Sequence, residues 1–198
     1  MDRLIARART PVDATSLAVL RICVGAICAW EVIRYFSAGW IQEFWERPQF
    51  HFHYVGFGWV EALPAPGMQI LWGVLGVCAV LMAVGAAYRI AAAVFAVGFG
   101  YTFLIEAATY LNHFYFLFLL TVVLAIVPAN RVWSVDALVK RRFGSNRRRR
   151  PSIPAWSLWL VRFQIAVVYV SGGLAKLDSD WLRGQPMSAW LANRTDFP

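Results

Sequence analysis

Three polar side chains at the ends of long apolar segments are the first candidates for chemistry: Lys176 and the neighbouring Asn112 and His113. Polar and ionisable side chains are costly in an apolar segment that could cross a membrane, so each of the three is a functional candidate by default. A lysine at a helix end is commonly an interface anchor, however, and a lone histidine is commonly a hydrogen-bonded structural group. Spacing alone therefore leaves two interpretations open, a catalytic pair or an anchor with a structural histidine.

The composition decides the class of protein. Of the 198 residues, 60% are hydrophobic, 15% are charged and 16% are aromatic, with a mean hydropathy of +0.54. Soluble domains have about 45–50% apolar and about 25% charged residues. The composition therefore predicts a membrane protein and argues against a soluble or disordered chain. Cys23, Cys28 and Cys78 all lie in apolar segments and do not indicate a disulfide framework.

Five apolar segments determine the expected architecture, since a helix needs about 17–25 residues to cross a bilayer. They are residues 14–36, 68–87, 90–105, 113–128 and 156–175. A lipid-exposed segment must satisfy its backbone hydrogen bonds internally, and these segments lack the alternation of a porin strand. The sequence therefore predicts an all-α fold, a polytopic transmembrane helix bundle of about five spans.

The distribution of Lys and Arg orients this bundle. These residues cluster before the first segment and in the loop 129–155, whereas the opposite loops contain few of them. Because cytoplasmic loops carry the excess of Lys and Arg, we predict an inside N-terminus and a cytoplasmic loop 129–155. The run Arg147–Arg150 in that loop sets topology, and binding of anionic lipid is an additional hypothesis. This orientation places His113 and Lys176 at the same outer face.

Other ionisable residues within the segments favour structural roles. Glu31 and Arg34 are three residues apart and can pair on one face of a helix. Arg162 lies near the inner end of the fifth segment, where a long side chain can extend to the headgroups. Arg21 has no such local explanation and stays a functional candidate.

His51 and His53 raise the question of a metal site. Two histidines two residues apart, with no acidic or cysteine partner beside them, are a weak signal for metal. Within FHFHYVGFGW an aromatic-rich outer loop is the favoured interpretation. The sequence also contains no phosphate-binding glycine loop, nucleophile elbow, CxxC or haem-attachment motif.

Small residues recur every four positions in two of the segments. Such spacing indicates either close contacts between helices or ordinary apolar filler. The two sets are Ala79, Ala83 and Ala87, and Ala92, Ala96 and Gly100.

Four stretches together resemble a known family: GAAYRIAAAVF (85–95), YLNHFYFLFLL (110–120), NRVWSVDALV (130–139) and VRFQIAVVYVSGGLAKLDSDWLRGQPM (161–187). They are similar to the HTTM domain, the membrane domain of vitamin K-dependent gamma-glutamyl carboxylases, which also occurs in many bacterial proteins. The resemblance covers essentially the whole chain in the same order. Its most specific part is the last stretch, with K-L-D-x-D-W.

The resemblance implies a reaction and roles for three residues. In the family, oxygenation of reduced vitamin K to its epoxide is coupled to removal of a proton from a glutamate γ-carbon, to which carbon dioxide adds. By motif, Lys176 corresponds to the base that deprotonates the hydroquinone, and Asn112 and His113 correspond to the pair at the glutamate side. A lysine must be neutral to act as a base, whereas His and Asn can donate hydrogen bonds to a developing carbanion.

The resemblance also implies a cofactor and partners. The cofactor is a reduced vitamin K or menaquinone-type hydroquinone, with no metal. The partners are the lipid bilayer and a glutamate-containing peptide or protein, with no nucleic acid. The expected location is the bacterial inner membrane.

Two departures from the family keep other functions open. Animal carboxylases have two adjacent lysines where this chain has Ala175 and Lys176, and they continue into a large extramembrane domain. We therefore expect residues 1–198 to form a single HTTM-like domain, the N-terminal portion of a longer architecture. The alternatives are a non-enzymatic membrane module that binds a peptide or partner, and a truncated inactive homologue.

Overall fold

The computed structural model describes residues 2–143 and 152–192, so the run Arg147–Arg150 lies outside the described residues. The described helices are α1 (Asp2–Ala8), α2 (Thr15–Ser37), α3 (Gly67–Val84), α4 (Tyr88–Ile105), α5 (Asn112–Ile126), α6 (Val135–Phe143), α7 (Ala155–Leu174), α8 (Ser179–Leu182) and α9 (Gln185–Ala192). A π-helical turn (Gln42–Glu46) follows α2, and a 3-10 turn (Ala107–Thr109) precedes α5. The predicted all-α fold is confirmed.

A short ribbon adds to this fold. Strand β1 (Pro11–Asp13) pairs antiparallel with β2 (Ser152–Pro154), with Val12 opposite Ile153. Ile153 is fully buried, and the amide of Ala155 donates to the carbonyl of Thr10. The ribbon thus joins the segment before α2 to the start of α7, a pairing of distant residues that hydropathy does not reveal.

The apolar helices coincide with the predicted segments. In the described part of the chain, α2, α3, α4 and α7 are long and apolar enough to cross a membrane. Helix α5 is equally apolar but has 15 residues, and at about 1.5 Å per residue it is shorter than the others. The chain is a multi-pass integral membrane protein.

The second predicted segment ends earlier than expected. The sequence predicts apolar helix to residue 87, but α3 stops at Val84 because Gly85 adopts a left-handed conformation with φ 70°. Glycine occupies this region without steric cost and commonly ends helices. Ala87 also has a positive φ of 43°, so α4 begins only at Tyr88.

Helices α2 to α5 form one packed group within the unit Met1–Val161. α2 packs on α3, α3 on α4 and α4 on α5, and α5 also contacts α2. A Cβ atom added to Gly25 would lie 2.6 Å from the backbone nitrogen of Ala83, so α2 and α3 approach closely there. Small residues permit such contacts within a membrane.

The two small-residue repeats therefore have mixed outcomes. Ala79 is fully buried and Ala83 faces Gly25, but Ala87 lies beyond the end of α3. On α4, Ala92 is fully buried, and a Cβ atom at Gly100 would meet the ring of Phe118 on α5 at 2.8 Å. The contact interpretation thus holds for most of these positions.

An aromatic cluster closes the group where α2 ends and α3 begins. Tyr35 and Trp72 stack with ring centroids 4.2 Å apart and an angle of 16°, and Trp45 lies 5.4 Å from Trp72. Phe99 and Phe114 complete the cluster from α4 and α5. Aromatic pairs add about 0.5–1.5 kcal/mol beyond their burial. The cluster therefore holds the π-helical turn against the ends of all four helices.

The opposite end of the group is held by the Asp136 cluster (Ala87, Tyr88, Asn130 and Asp136). The Asp136 carboxylate accepts hydrogen bonds from the amides of Ala87 (2.9 Å) and Tyr88 (3.2 Å) and from the side chain of Asn130 (2.7 Å). Burial raises the pKa of Asp136, but these bonds and Lys140 outweigh it and hold the pKa below its usual value. The carboxylate thus ties the α3–α4 turn to the segment after α5.

Arg21 on α2 packs against the same end. Its side chain is fully buried, and Nη2 donates to the carbonyl of Trp133 at 2.5 Å. Trp133 has a positive φ of 50°, an uncommon backbone conformation for a residue other than glycine. Arg21, a functional candidate from the sequence, therefore has a structural contact here.

The predicted pair of Glu31 and Arg34 is confirmed. Nη1 of Arg34 lies 2.7 Å from one carboxylate oxygen of Glu31 and 2.9 Å from the other. The guanidinium also lies over the ring of Trp40, 5.2 Å from its centroid. Both charges of this part of α2 thus have local partners.

Candidate functional site

Asn112 and His113 form the first turn of α5. Leu111, the residue before them, has an extended backbone, and the helical conformation begins at Asn112. Both side chains are exposed, and the His113 ring lies 4.6 Å from the ring of Phe114, which points into the aromatic cluster. The two polar residues are thus presented from a helix end that is anchored by its next residue.

Glu106 fixes the connection that leads to this helix end. One carboxylate oxygen accepts from the amide of Ala108 at 2.8 Å, and the other lies 3.2 Å from Nδ1 of His51 and 3.3 Å from the amide of Phe52. The amide of Ala107 donates back to the carbonyl of Phe52 at 2.6 Å. Glu106 therefore joins residues 51 and 52 to the α4–α5 connection.

The sequence reasoning missed this pairing. It found no acidic partner beside His51 and His53, whereas the structure brings Glu106 to His51 from 55 residues away. A signal was present in the sequence, because Glu106 ends an apolar segment. In the structure its side chain is only 9% exposed. A buried carboxylate needs hydrogen-bond donors. The loop 50–59, predicted from the sequence to lie at the same membrane face as Glu106, contains two histidines that could supply them.

The metal question has a geometric answer for the part of the chain that the structure describes. The His51 and His53 rings are 6.4 Å apart, and no group of three His, Cys, Asp or Glu side chains is placed to hold a metal ion there. His51 is instead engaged by Glu106, so it acts as a structural partner of the loop.

A long apolar groove lies between α4 and α5. It has a volume of about 1150 Å³, and small residues (Ala93, Ala96, Gly100 and Ala125) form part of its lining. Tyr54, Tyr110 and Tyr115 line it at the end where α5 begins. The groove is therefore an apolar space with phenol groups at one end.

Tyr54 at this end of the groove remains a hydrogen-bond donor. Tyr110 and Tyr115 have ring centroids 5.7 Å apart. Burial, together with the neighbouring Tyr110 and Tyr115, raises the pKa of Tyr54. A phenol whose pKa is raised stays protonated at neutral pH and can donate to a carbonyl or hydroxyl oxygen.

Lys176 lies in the second compact unit, Arg162–Pro198, which is described here by itself. Its amide donates to the carbonyl of Gly173 at 3.1 Å, and its Nζ lies 5.2 Å from the centroid of the Trp181 ring. Asp178 caps α8 by accepting from the amides of Asp180 (2.7 Å) and Trp181 (3.0 Å). The K-L-D-x-D-W sequence thus folds into a capped turn that places Trp181 against the lysine.

The described structure therefore joins some of the candidate residues. Asn112 and His113 share one helical turn, and Glu106 supports the connection before them. Lys176 and Arg162 are both exposed and belong to the second unit. The catalytic pairing of Lys176 with His113 and the snorkelling of Arg162 stay predictions.

Comparison with known families decides the relationship. The model of the HTTM domain matches residues 9–198, nearly the whole chain. The chain belongs to the HTTM family. This family comprises the membrane domain of vitamin K-dependent carboxylase-like proteins, so the resemblance found in the sequence is confirmed. No solved structure matches the chain.

Family membership bears on each candidate motif. The matched range begins before α2 and includes the Asp136 cluster, the start of α5 and the turn around Lys176. The match thus covers the packed group α2–α5 as well as the three candidate residues Asn112, His113 and Lys176.

Proposed function

We propose that this HTTM protein is a vitamin K-dependent gamma-carboxylase-like enzyme of the bacterial inner membrane, a lyase-type carboxylase acting at the outer face. It oxygenates a reduced vitamin K or menaquinone-type hydroquinone and couples this step to glutamate carboxylation. The observation that carries the proposal is the HTTM match over 9–198, which includes both the Asn112–His113 turn and Lys176. The substrates are the hydroquinone, O2, CO2 and a glutamate-containing peptide or protein.

Lys176, Asn112 and His113 have distinct roles in this proposal. The Lys176 amine accepts a proton from a hydroquinone hydroxyl, which requires the amine to be neutral when it acts. The amide of Asn112 and the imidazole of His113 donate hydrogen bonds to the carbanion that forms at the glutamate γ-carbon. The hydroquinone, when bound, supplies the oxygenation chemistry. The exposed first turn of α5 supports the second role, because a peptide can approach it directly.

The α4–α5 groove supports an apolar cofactor of this class. A prenylated naphthoquinone carries a long apolar chain and a ring with two oxygen atoms. The small residues of α4 would accommodate the chain, and the hydroxyl groups of Tyr54, Tyr110 and Tyr115 would donate to a ring oxygen. The lining is almost wholly apolar, which favours such a ligand over a water-soluble one.

The decisive experiment replaces the proposed base. Purified protein in nanodiscs receives reduced menaquinone and O2, and the epoxide is measured by mass spectrometry. Arg stays protonated and cannot act as a base, so Lys176→Arg is expected to lower epoxide formation by at least about 100-fold. Lys140→Arg on α6 is the matched control and should leave the rate unchanged.

The result separates the candidate functions. Equal epoxide formation by wild type and Lys176→Arg would exclude Lys176 as the base. Absence of epoxide from wild-type protein with either menaquinone or vitamin K would contradict the enzyme and favour a non-enzymatic HTTM module that binds a peptide. Incorporation of labelled CO2 into a glutamate-containing peptide provides a second readout, in which His113→Ala should lower carboxylation more than epoxide formation.

A further inference from the structure

A second cavity, distinct from the α4–α5 groove, lies beneath the loop that follows α2. Its volume is about 390 Å³. Its walls come from residues 45–53, which include the end of the π-helical turn and both histidines, and from residues 61–65 before α3. Trp45, Glu46, His53 and Glu61 contribute its polar groups. Unlike the groove, this polar cavity presents more polar than apolar surface.

Three lining residues carry buried polar atoms without a hydrogen-bond partner among the described residues. They are Nε1 of Trp45, Oε1 of Glu46 and Nε2 of His53. Trp45 as a whole is only 4% exposed. An unpaired buried polar group is destabilising, so three in one cavity indicate that a ligand or water completes them.

The Glu46 carboxylate is held ready for such a partner. Its Oε2 accepts from the side-chain amide of Gln69, in the first turns of α3, at 3.2 Å. This bond fixes the carboxylate while leaving Oε1 available. The cavity therefore offers an oriented anionic acceptor.

The charge of the lining selects the ligand. Glu46 and Glu61 are acidic, His51 is already engaged by Glu106, and the lining contains neither Lys nor Arg. A metal ion is disfavoured because no three ligating side chains of the described residues converge. The rings of Trp45 and Phe50 can stabilise an organic cation through cation–π contact.

We propose that the polar cavity binds an organic cation with N–H donors, an ammonium or guanidinium group, presented by a basic side chain of a peptide. One N–H of the cation donates to Oε1 of Glu46, and another donor of the peptide can reach Nε2 of His53 in the tautomer that carries its proton on Nδ1. Trp45 Nε1 can only donate, so it requires an acceptor on the ligand, which a peptide carbonyl supplies and a simple amine lacks. The site is independent of the chemistry proposed for Lys176.

The test measures binding to the full chain in phosphatidylcholine nanodiscs by isothermal titration calorimetry. The probes are the blocked tripeptide acetyl-Gly-Arg-Gly-amide, its glutamine counterpart and agmatine, which carries a guanidinium group without a peptide. We expect saturable binding of the arginyl peptide, no binding of the glutamine peptide, and weaker binding of agmatine. Agmatine binding as tightly as the peptide would contradict the peptide source.

Matched variants locate the binding site. Glu46→Gln should weaken binding of the arginyl peptide at least tenfold, whereas Glu43→Gln, on an exposed side chain of the same turn, should not change it. Glu61→Gln, at an exposed part of the wall, should weaken binding severalfold without affecting folding. Lys176→Arg should bind normally, so failure of this proposal is distinguishable from failure of the proposed reaction. Absence of saturable binding to wild type, or unchanged binding to Glu46→Gln, overturns the proposal.

Discussion

Asp136 and Glu46 are carboxylates at opposite ends of α3, and their hydrogen bonds differ in kind. Asp136 accepts hydrogen bonds from the backbone amides of Ala87 and Tyr88, at the turn between α3 and α4, and from the side chain of Asn130, which follows α5. Glu46 accepts from Gln69 through one oxygen and leaves the other without a partner among the described residues. The first carboxylate stabilises the fold, and the second is available to a ligand.

The same contrast extends to the surroundings of each carboxylate. Around Asp136, the hydroxyl of Ser134 donates to the carbonyl of Asn130 and accepts from the amide of Ala137, so the residues beside the carboxylate are paired. Nε and Nη1 of Arg21, at the same end, are buried without a partner among the described residues. Around Glu46, Nε1 of Trp45 and Nε2 of His53 are buried and have no hydrogen-bond partner among the described residues. The difference between the two carboxylates is therefore that both oxygens of Asp136 accept hydrogen bonds, whereas Oε1 of Glu46 has no partner among the described residues.

The largest expected effect concerns the side of the membrane on which each end lies. A cysteine substituted at the exposed Val55 reports on the end of the helix group where α3 begins, near Glu46. A cysteine at the exposed Leu138 reports on the opposite end, near Asp136. Because Lys and Arg cluster at the Asp136 end, we expect an impermeant maleimide to label Val55→Cys in intact cells and Leu138→Cys only after lysis. The unsubstituted protein controls for its own three cysteines. The inverse pattern would place His113 inside.

The next effect tests how tightly the Asp136 end is packed. A Cβ atom at Gly85 would overlap Arg21 and Ser134, and the residue has a φ of 70°. Gly39 has the same φ, but no atom lies within 4 Å of the position of its Cβ. The unfavourable φ costs about 1 kcal/mol in either alanine variant, and overpacking adds about 1–3 kcal/mol at Gly85.

Thermal unfolding of the purified proteins measures this difference. Gly85→Ala should lower the free energy of unfolding by about 2–4 kcal/mol, against about 1 kcal/mol for Gly39→Ala. Equal effects would mean that Arg21 moves aside freely and that the Asp136 end is less rigid than its contacts suggest.

The membrane helices could be predicted because their signal is local. A window of apolar residues is sufficient to place α2, α3, α4, α5 and α7 to within a few residues. The spacing of Glu31 and Arg34 similarly predicts their contact, since residues three apart are neighbours on a helix. The family was also recognisable, because its motifs are continuous stretches of sequence.

The site could be predicted only in part, because its contacts join distant segments. Glu106 contacts His51, which is 55 residues away in the sequence. The contact between Gly25 and Ala83 depends on which face α2 and α3 turn towards each other. Uniformly apolar helices carry little information about rotation, since lipid and protein neighbours are equally apolar. The polar cavity was missed because its walls come from two stretches of the connection between α2 and α3, residues 45–53 and 61–65, and apolar windows do not reveal how a connection folds.

The smallest predicted effect is a dependence of stability on pH at the Asp136 end. The pKa of Asp136 in the folded protein lies below the usual value of about 3.9, so the ionised carboxylate contributes stability that is fully present above that value. This contribution is lost as the pH falls through the lowered pKa. Asp136→Asn removes the charge and should cost about 1 kcal/mol at pH 7.

Unfolding curves between pH 7 and pH 3 check the sign. The advantage of wild type over Asp136→Asn should be constant down to about pH 5 and should shrink below about pH 4, because the wild-type carboxyl then becomes neutral as well. Glu46→Gln should cost less than Asp136→Asn at pH 7, since a glutamine oxygen can still accept from Gln69. If Glu46→Gln costs more, the Glu46 carboxylate is a structural group like Asp136, and the distinction between the two ends of α3 fails.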